Sequence, residues 1–223
     1  MCVVLPHKLC QVNLHQVVIC DLSKTFGNMN NDNIDENIIS LYNAQKWEEI
    51  AALSSTTDDF RTCKLSWVLP DINDLCWINE IVQKYNLSGI ASIGCGCGLL
   101  EWLLQKYSGL DIVGIELDSS WWNSKYSPPQ FLKNIIFVEN KSTNFLVPKK
   151  YAMLFCYFNN STAFHDYMKN YKGNLILVIG PEGNNYTTDP LPFDIKFQKY
   201  NWKLTKVKKL VYSNNYITAY SNM

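Results

Sequence analysis

The chain has 223 residues, 47% of them hydrophobic and 18% charged, and its formal net charge is zero. That is enough apolar material for a full core, and the charge balance gives no global electrostatic case for nucleic acid or an anionic membrane as partner. Arg61 is the only arginine, so the bidentate guanidinium contacts favoured for phosphate and guanine are almost missing, which disfavours nucleic acid as a partner. Along residues 1–25 apolar and polar positions mix without a clean period. Pro6, His7, Lys8, Gln11, Asn13, His15 and Gln16 interrupt the apolar patch there, so neither a signal peptide nor a membrane span of about 20 residues is expected. His7, Cys10, His15 and Cys20 match no standard zinc spacing, and no metal is expected. The eight cysteines are scattered, several of them within expected strands, helices or turns. That usage fits a soluble protein of a reducing compartment, cytoplasmic or nuclear.

Gly27 to Asn37 is polar and Asn-rich and reads as a linker, which sets an N-terminal extension of residues 1–64 before the main domain, 65–223. Ile38, Ile39, Leu41, Tyr42, Trp47, Ile50 and Leu53 recur at helical spacing and predict one helix over 38–53. Asp71 can cap a second helix over 72–86, which Asn86 and Gly89 end. The decisive stretch follows. Ile90-Ala-Ser-Ile is a short buried strand, Gly94-Cys-Gly96-Cys-Gly98 a turn, and Leu99 to Leu104 the start of an amphipathic helix. Glycines at these positions allow left-handed backbone and close approach of a ligand, and the helix start offers unpaired N–H groups. The next strand, Asp111 to Ile115, ends in Glu116, 22 residues after Gly94. That is about where an acid is needed to accept hydrogen bonds from both hydroxyls of a ribose. Asp118 is the rival for that role.

Pro128 and Pro129 restrict the segment after Glu116 to at most one helical turn near Trp121. Residues 134–139, 151–156 and 174–179 are three further strands. Ser161 to Tyr171 is a helix capped by Ser161 or Thr162, Phe193 to Tyr200 a short helix, and Trp202 to Tyr220 a hairpin turning at Ser213–Asn215. Lys203, Lys206, Lys208 and Lys209 on the hairpin read as a solvated face. The expected fold is α/β, a doubly wound, mostly parallel Rossmann-like sheet ending in an antiparallel hairpin. Ligands bind such sheets outside the carboxyl ends of the strands, which groups Gly94–Gly98, Glu116, Asn140, Tyr157–Asn160 and Gly180–Gly183 around one crevice.

Leu99 stands where a dinucleotide fingerprint needs its third glycine, which disfavours NAD. The G-x-G-x-G spacing, with Ser92-Ile-Gly-Cys-Gly-Cys-Gly98 and Val113-Gly-Ile-Glu116, resembles the class I S-adenosylmethionine-dependent methyltransferases from about residue 65 to the C-terminus. Trp67-Val-Leu-Pro70, Phe155-Cys-Tyr and Tyr171-Lys-Gly173 resemble a little-characterised branch of that superfamily. The resemblance implies a seven-stranded sheet, S-adenosylmethionine as cofactor, and methyl transfer to a small or macromolecular acceptor. It implies cofactor contacts at Ser92, Gly94, Cys95, Gly96, Gly98, Glu116, Asn140 and Cys156, with Tyr157, Asn159 and Asn160 facing the acceptor. Trp121 or Trp122 is a candidate to stack on the adenine, Trp67 a candidate lid, and His165 and Glu182 weaker candidates for acid–base roles.

Three positions depart from the superfamily pattern. Ser92 replaces a common acid, Asn140-Lys141 stands where an acid often meets the adenine, and Phe158-Asn159-Asn160-Ser161 lacks the proline pair of amino-group methyltransferases. These departures support an alternative, a non-catalytic S-adenosylmethionine-binding sensor or partner protein with a degenerate fold.

Overall fold

Every second residue of β1 (Gly89–Ile93), β4 (Tyr151–Cys156) and β5 (Leu175–Pro181) packs into one of two separate apolar clusters. Ile90, Leu154 and Leu177 face one side; Ala91, Met153 and Ile176 face the other. This is the period-two signature of a sheet covered on both faces. The structure is a computed structural model and describes residues 32–55, 64–138, 145–183 and 188–222.

The remaining strands are β2 (Asp111–Glu116), β3 (Ile135–Phe137), β6 (Lys203–Lys209) and β7 (Asn215–Ser221). They assemble into one seven-stranded sheet in the order β3-β2-β1-β4-β5-β7-β6. The first five strands are parallel, and β7 runs antiparallel to both β5 and β6. Strand order reverses between β1 and β4, so the crevice at their carboxyl ends is the topological switch point.

One face is covered by α1 (Asp32–Asn43), α2 (Trp47–Ala52), α3 (Ile72–Lys84) and α4 (Leu99–Ser108), whose apolar residues share a cluster with Ile90, Ile112 and Leu154. The other is covered by α6 (Ser161–Asn170) and a 3-10 turn over Ile195–Tyr200, through Phe164, Tyr167, Met168 and Phe197. A single turn, α5 (Ser119–Trp122), follows β2. No helix among the described residues is long and apolar enough to cross a membrane.

Several local expectations need correction. Helix starts at Asp32, inside the segment read as linker, because Ile34 and Ile38 place two buried side chains one turn apart. The helix expected over 38–53 breaks at 44–46, where Gln45 takes a left-handed φ of 59°. Asn160, rather than Ser161 or Thr162, caps α6, accepting from Ala163 N–H at 3.0 Å. Asp71 caps α3 as expected, in a reciprocal capping box with Asp74. The hairpin's Lys208 is not purely solvated: its Nζ lies 3.3 Å from the buried Asp74 carboxylate.

Candidate functional site

The turn after β1 is held by its neighbours on both sides. Gly94 N–H donates to Ile115 O at 2.7 Å, and Gly98 N–H to Cys95 O at 3.0 Å. Gly94, Gly96 and Gly98 all take left-handed φ, 72°, 59° and 76°. At Gly98 a side chain is also excluded by packing, since a Cβ would stand 2.5 Å from Leu132 Cβ. Gly94 lies under the Phe158 ring, 2.8 Å from where a Cβ would be, whereas at Gly96 the nearest atom is Trp122 at 3.6 Å.

Glu116 closes this turn from β2. Its Oε2 accepts Gly96 N–H at 2.8 Å and its Oε1 accepts Leu117 N–H at 2.7 Å. Burial raises its carboxyl above the ordinary value, against the lowering effect of these two bonds. Asp118 is committed elsewhere: exposed, it caps α5 by accepting from Ser120 Oγ and Trp121 N–H. Of the two tryptophans, Trp122 faces the glycine turn, while Trp121 is 45% exposed.

Below the turn lies a group that the sequence reading left out. Ser92 points from β1 toward α4, and its Oγ donates to Glu101 Oε1 at 2.6 Å. Glu101, in the first turn of α4, is only 2% exposed, and its Oε2 has no hydrogen-bond partner. Burial pushes its carboxyl up to about 7. Cys95 on the turn and Cys156 at the end of β4 feel its charge, and burial pushes both thiols well above their ordinary range. The signal was available: a glutamate set between leucines and a tryptophan in Leu99-Leu-Glu-Trp-Leu-Leu104 sits on the buried side of its helix. Cys97 is structural, donating from its thiol to Leu65 O at 2.8 Å.

The exit of β4 holds the other expected residues. Tyr157 takes a left-handed φ of 49°. Its ring stacks on Trp67 at 5.4 Å and 13°, and its hydroxyl donates to Asn215 Oδ1 at 2.6 Å. Trp67 is 69% exposed, so it is not a core residue. A small cleft beside this pair is lined by Trp67, Leu69, Leu210, Tyr212, Ser213 and Asn215. Asn159 is exposed, and Asn160 is the cap of α6. His165 sits on α6 with Nδ1 2.7 Å from the Tyr200 hydroxyl, and Glu182 accepts from the Tyr216 hydroxyl at 3.3 Å. Asn140, and the set His7, Cys10, His15 and Cys20, lie outside the described residues. The structure therefore brings Ser92, Gly94, Cys95, Gly96, Gly98 and Glu116 to one corner, with Cys156 beside them.

No protein-family model and no curated protein matches the chain. Solved structures do. A variant of MtNAS in complex with S-adenosylmethionine is 13% identical, with a TM-score of 0.50 over 86% of this chain and 77% of that one. Magnesium protoporphyrin IX methyltransferase (ChlM) from Synechocystis PCC 6803 with bound SAM is 10% identical, with a TM-score of 0.46 over 68% and 79%. A SAM-dependent methyltransferase from Aquifex aeolicus is 11% identical, with a TM-score of 0.43 over 78% and 98%. Strand order and the first of these likenesses agree on one fold, the Rossmann-like, mostly parallel sheet with an antiparallel C-terminal hairpin that the sequence led us to expect.

Proposed function

We propose that this chain binds S-adenosylmethionine at the Gly94–Gly98 corner and transfers its methyl group to an acceptor at the carboxyl ends of β4 and β5. The observation that carries this reading is the meeting, at the switch point, of a left-handed glycine turn with the Glu116 carboxylate, joined through Gly96 N–H. The residues fit the cofactor: a partly buried carboxylate for vicinal hydroxyls, a backbone without side chains beside it, and the Trp122 ring over Gly96. Ser92, Cys95 and Cys156 line the same corner, and Asn140 is the candidate contact beyond β3. Residues 65–223 are the cofactor domain, and α1 of the 1–64 extension braces it: the Tyr42 hydroxyl donates to Phe131 O at 3.1 Å, next to the Leu132 that packs on Gly98.

The cofactor supplies an electrophilic methyl on a sulfonium. The chain's part is to bind, orient and exclude water. Trp67 and Tyr157 offer a flat aromatic wall suited to a small or partly apolar acceptor. Asn159 and Asn160 flank it. Isothermal titration with S-adenosylmethionine, and with NAD as control, tests the reading. Micromolar binding of the first alone, weakened about 10- to 100-fold by Glu116→Ala, supports it; binding of neither overturns it.

One observation favours the non-catalytic alternative. The polar groups nearest the acceptor side are already engaged, Tyr157 with Asn215 and Asn160 with its helix. Formation of S-adenosylhomocysteine with a panel of amine and hydroxyl acceptors separates the two: turnover with any of them makes the protein an enzyme.

A further inference from the structure

A glutamate in the first turn of a helix ordinarily reaches back to the cap and sits in water. Glu101 does neither. The residue two places before Gly94 on β1 is Ser92, on the strand face that packs under α4, and its hydroxyl takes one Glu101 oxygen at 2.6 Å. The other oxygen is buried and unpartnered. Buried polar atoms are rarely left in this state, because an unmade hydrogen bond to a carboxyl costs as much as its desolvation. The groups that bear on it are Ser92 from β1, Cys95 from the turn, Cys156 from β4 and Glu116 from β2. None is a cation. A buried carboxyl with one unpartnered oxygen among such groups is matched by a compact positive group with several N–H donors. A primary ammonium meets that description.

We infer that Glu101, positioned by Ser92, is the carboxylate that receives the α-ammonium group of the cofactor. The inference rests on the proposed function and extends it. Glu116 takes the nucleoside end of the ligand and Glu101 the amino-acid end, one carboxyl on each side of the same turn.

The arrangement carries a proton linkage. Burial holds Glu101 neutral near pH 6, its carboxyl being raised to about 7. Pairing with an ammonium favours the ionised form, so the Glu101 proton passes to the buffer as the ligand binds. Protons are released on binding at pH 6, and the release fades as pH rises through 7.

The test uses the full chain, S-adenosylmethionine, and 5′-methylthioadenosine, which keeps the nucleoside and lacks the amino-acid group. Glu101→Gln keeps the shape and removes the charge. It is expected to weaken S-adenosylmethionine binding roughly 10- to 100-fold, the range for a charged hydrogen bond, and to leave methylthioadenosine within about twofold. Titrations at pH 6 in buffers of different ionisation enthalpy read the proton on the wild type and so do not depend on the variant folding. Equal weakening of both ligands, or no weakening of either, overturns the role of Glu101 while leaving the cofactor reading intact; binding without proton release overturns the proton linkage. A wild type that binds neither ligand overturns both.

Discussion

Gly96 N–H donates to Glu116 Oε2 across 2.8 Å, so the turn after β1 and the tip of β2 form one rigid corner. Glu116 therefore has two duties in this fold, bracing the turn and presenting acceptor oxygens. Glu116→Ala removes both. It is expected to cost about 1–3 kcal/mol in stability, the loss of hydrogen bonds to a charged group, and to weaken S-adenosylmethionine about 10- to 100-fold. Glu116→Gln keeps an acceptor for one backbone N–H and should recover most of the stability and less of the affinity. Urea unfolding beside calorimetric titration measures the two separately. Equal recovery of both by glutamine would leave the carboxylate with a bracing role alone.

The three glycines are not equivalent, and substitution should rank them. At Gly98 an alanine meets left-handed strain, about 1–2 kcal/mol, and collides with Leu132, which adds about 1–3 kcal/mol of overpacking. At Gly96 only the strain applies, because the nearest atom stands at 3.6 Å. Gly98→Ala should thus lower Tm by several degrees more than Gly96→Ala, at about 2–4 °C per kcal/mol for a domain of this size. Gly96→Ala should instead harm cofactor affinity more than stability. Thermal unfolding with and without S-adenosylmethionine checks the order; a reversed order would count against the packing account.

Glu101 gives a stability prediction that needs no ligand. Its carboxyl titrates near 4.5 in the unfolded chain and near 7 in the folded one, so between these values the native state holds the extra proton. Stability contributed by this group is therefore complete below about pH 4.5, falls as pH rises to about 7, and is level above. The total is on the order of 3 kcal/mol. Glu101→Gln should flatten this slope, and its advantage over wild type should grow from pH 5 to pH 8. Urea midpoints at four pH values decide it. A difference independent of pH would mean that Glu101 is ionised in the folded protein throughout.

Much of the fold was legible because β-strands declare their faces. The runs Ile90–Ile93, Tyr151–Cys156 and Leu175–Ile179 are too apolar to be one-sided, and each follows a helix or turn signal, which points to a parallel sheet between two helical layers. The glycine turn and Glu116 were legible from spacing. The rest was not, for physical reasons. Gln45 takes left-handed backbone without being glycine, so no residue type announced the break between α1 and α2. Asp32 to Asn37 looked like a linker because its five other residues, all polar, surround Ile34, although Ile34 and Ile38 were already one helical turn apart. Phe158 over Gly94 depends on β4 lying beside β1, a long-range pairing that local pattern does not carry. Glu101 was masked by its position, since an acid in a first helical turn usually means a cap.

The Trp67–Tyr157 stack offers the last prediction. Trp67 is mostly exposed, so its ring contributes little burial, and Trp67→Ala should cost no more than about 0.5–1.5 kcal/mol, the range for an aromatic pair. Tyr157→Phe keeps the stack and removes the hydroxyl bond to Asn215, at a cost of about 0.5–1.5 kcal/mol. A double-mutant cycle between Trp67→Ala and Tyr157→Ala should show coupling of similar size, because the two rings touch. If the stack walls the acceptor site, Trp67→Ala leaves the S-adenosylmethionine Kd within about twofold, since the cofactor's own contacts lie with the glycine turn and Glu116. A loss of tenfold or more would instead make Trp67 a lid over the cofactor, and would move the acceptor wall to the other side of Tyr157.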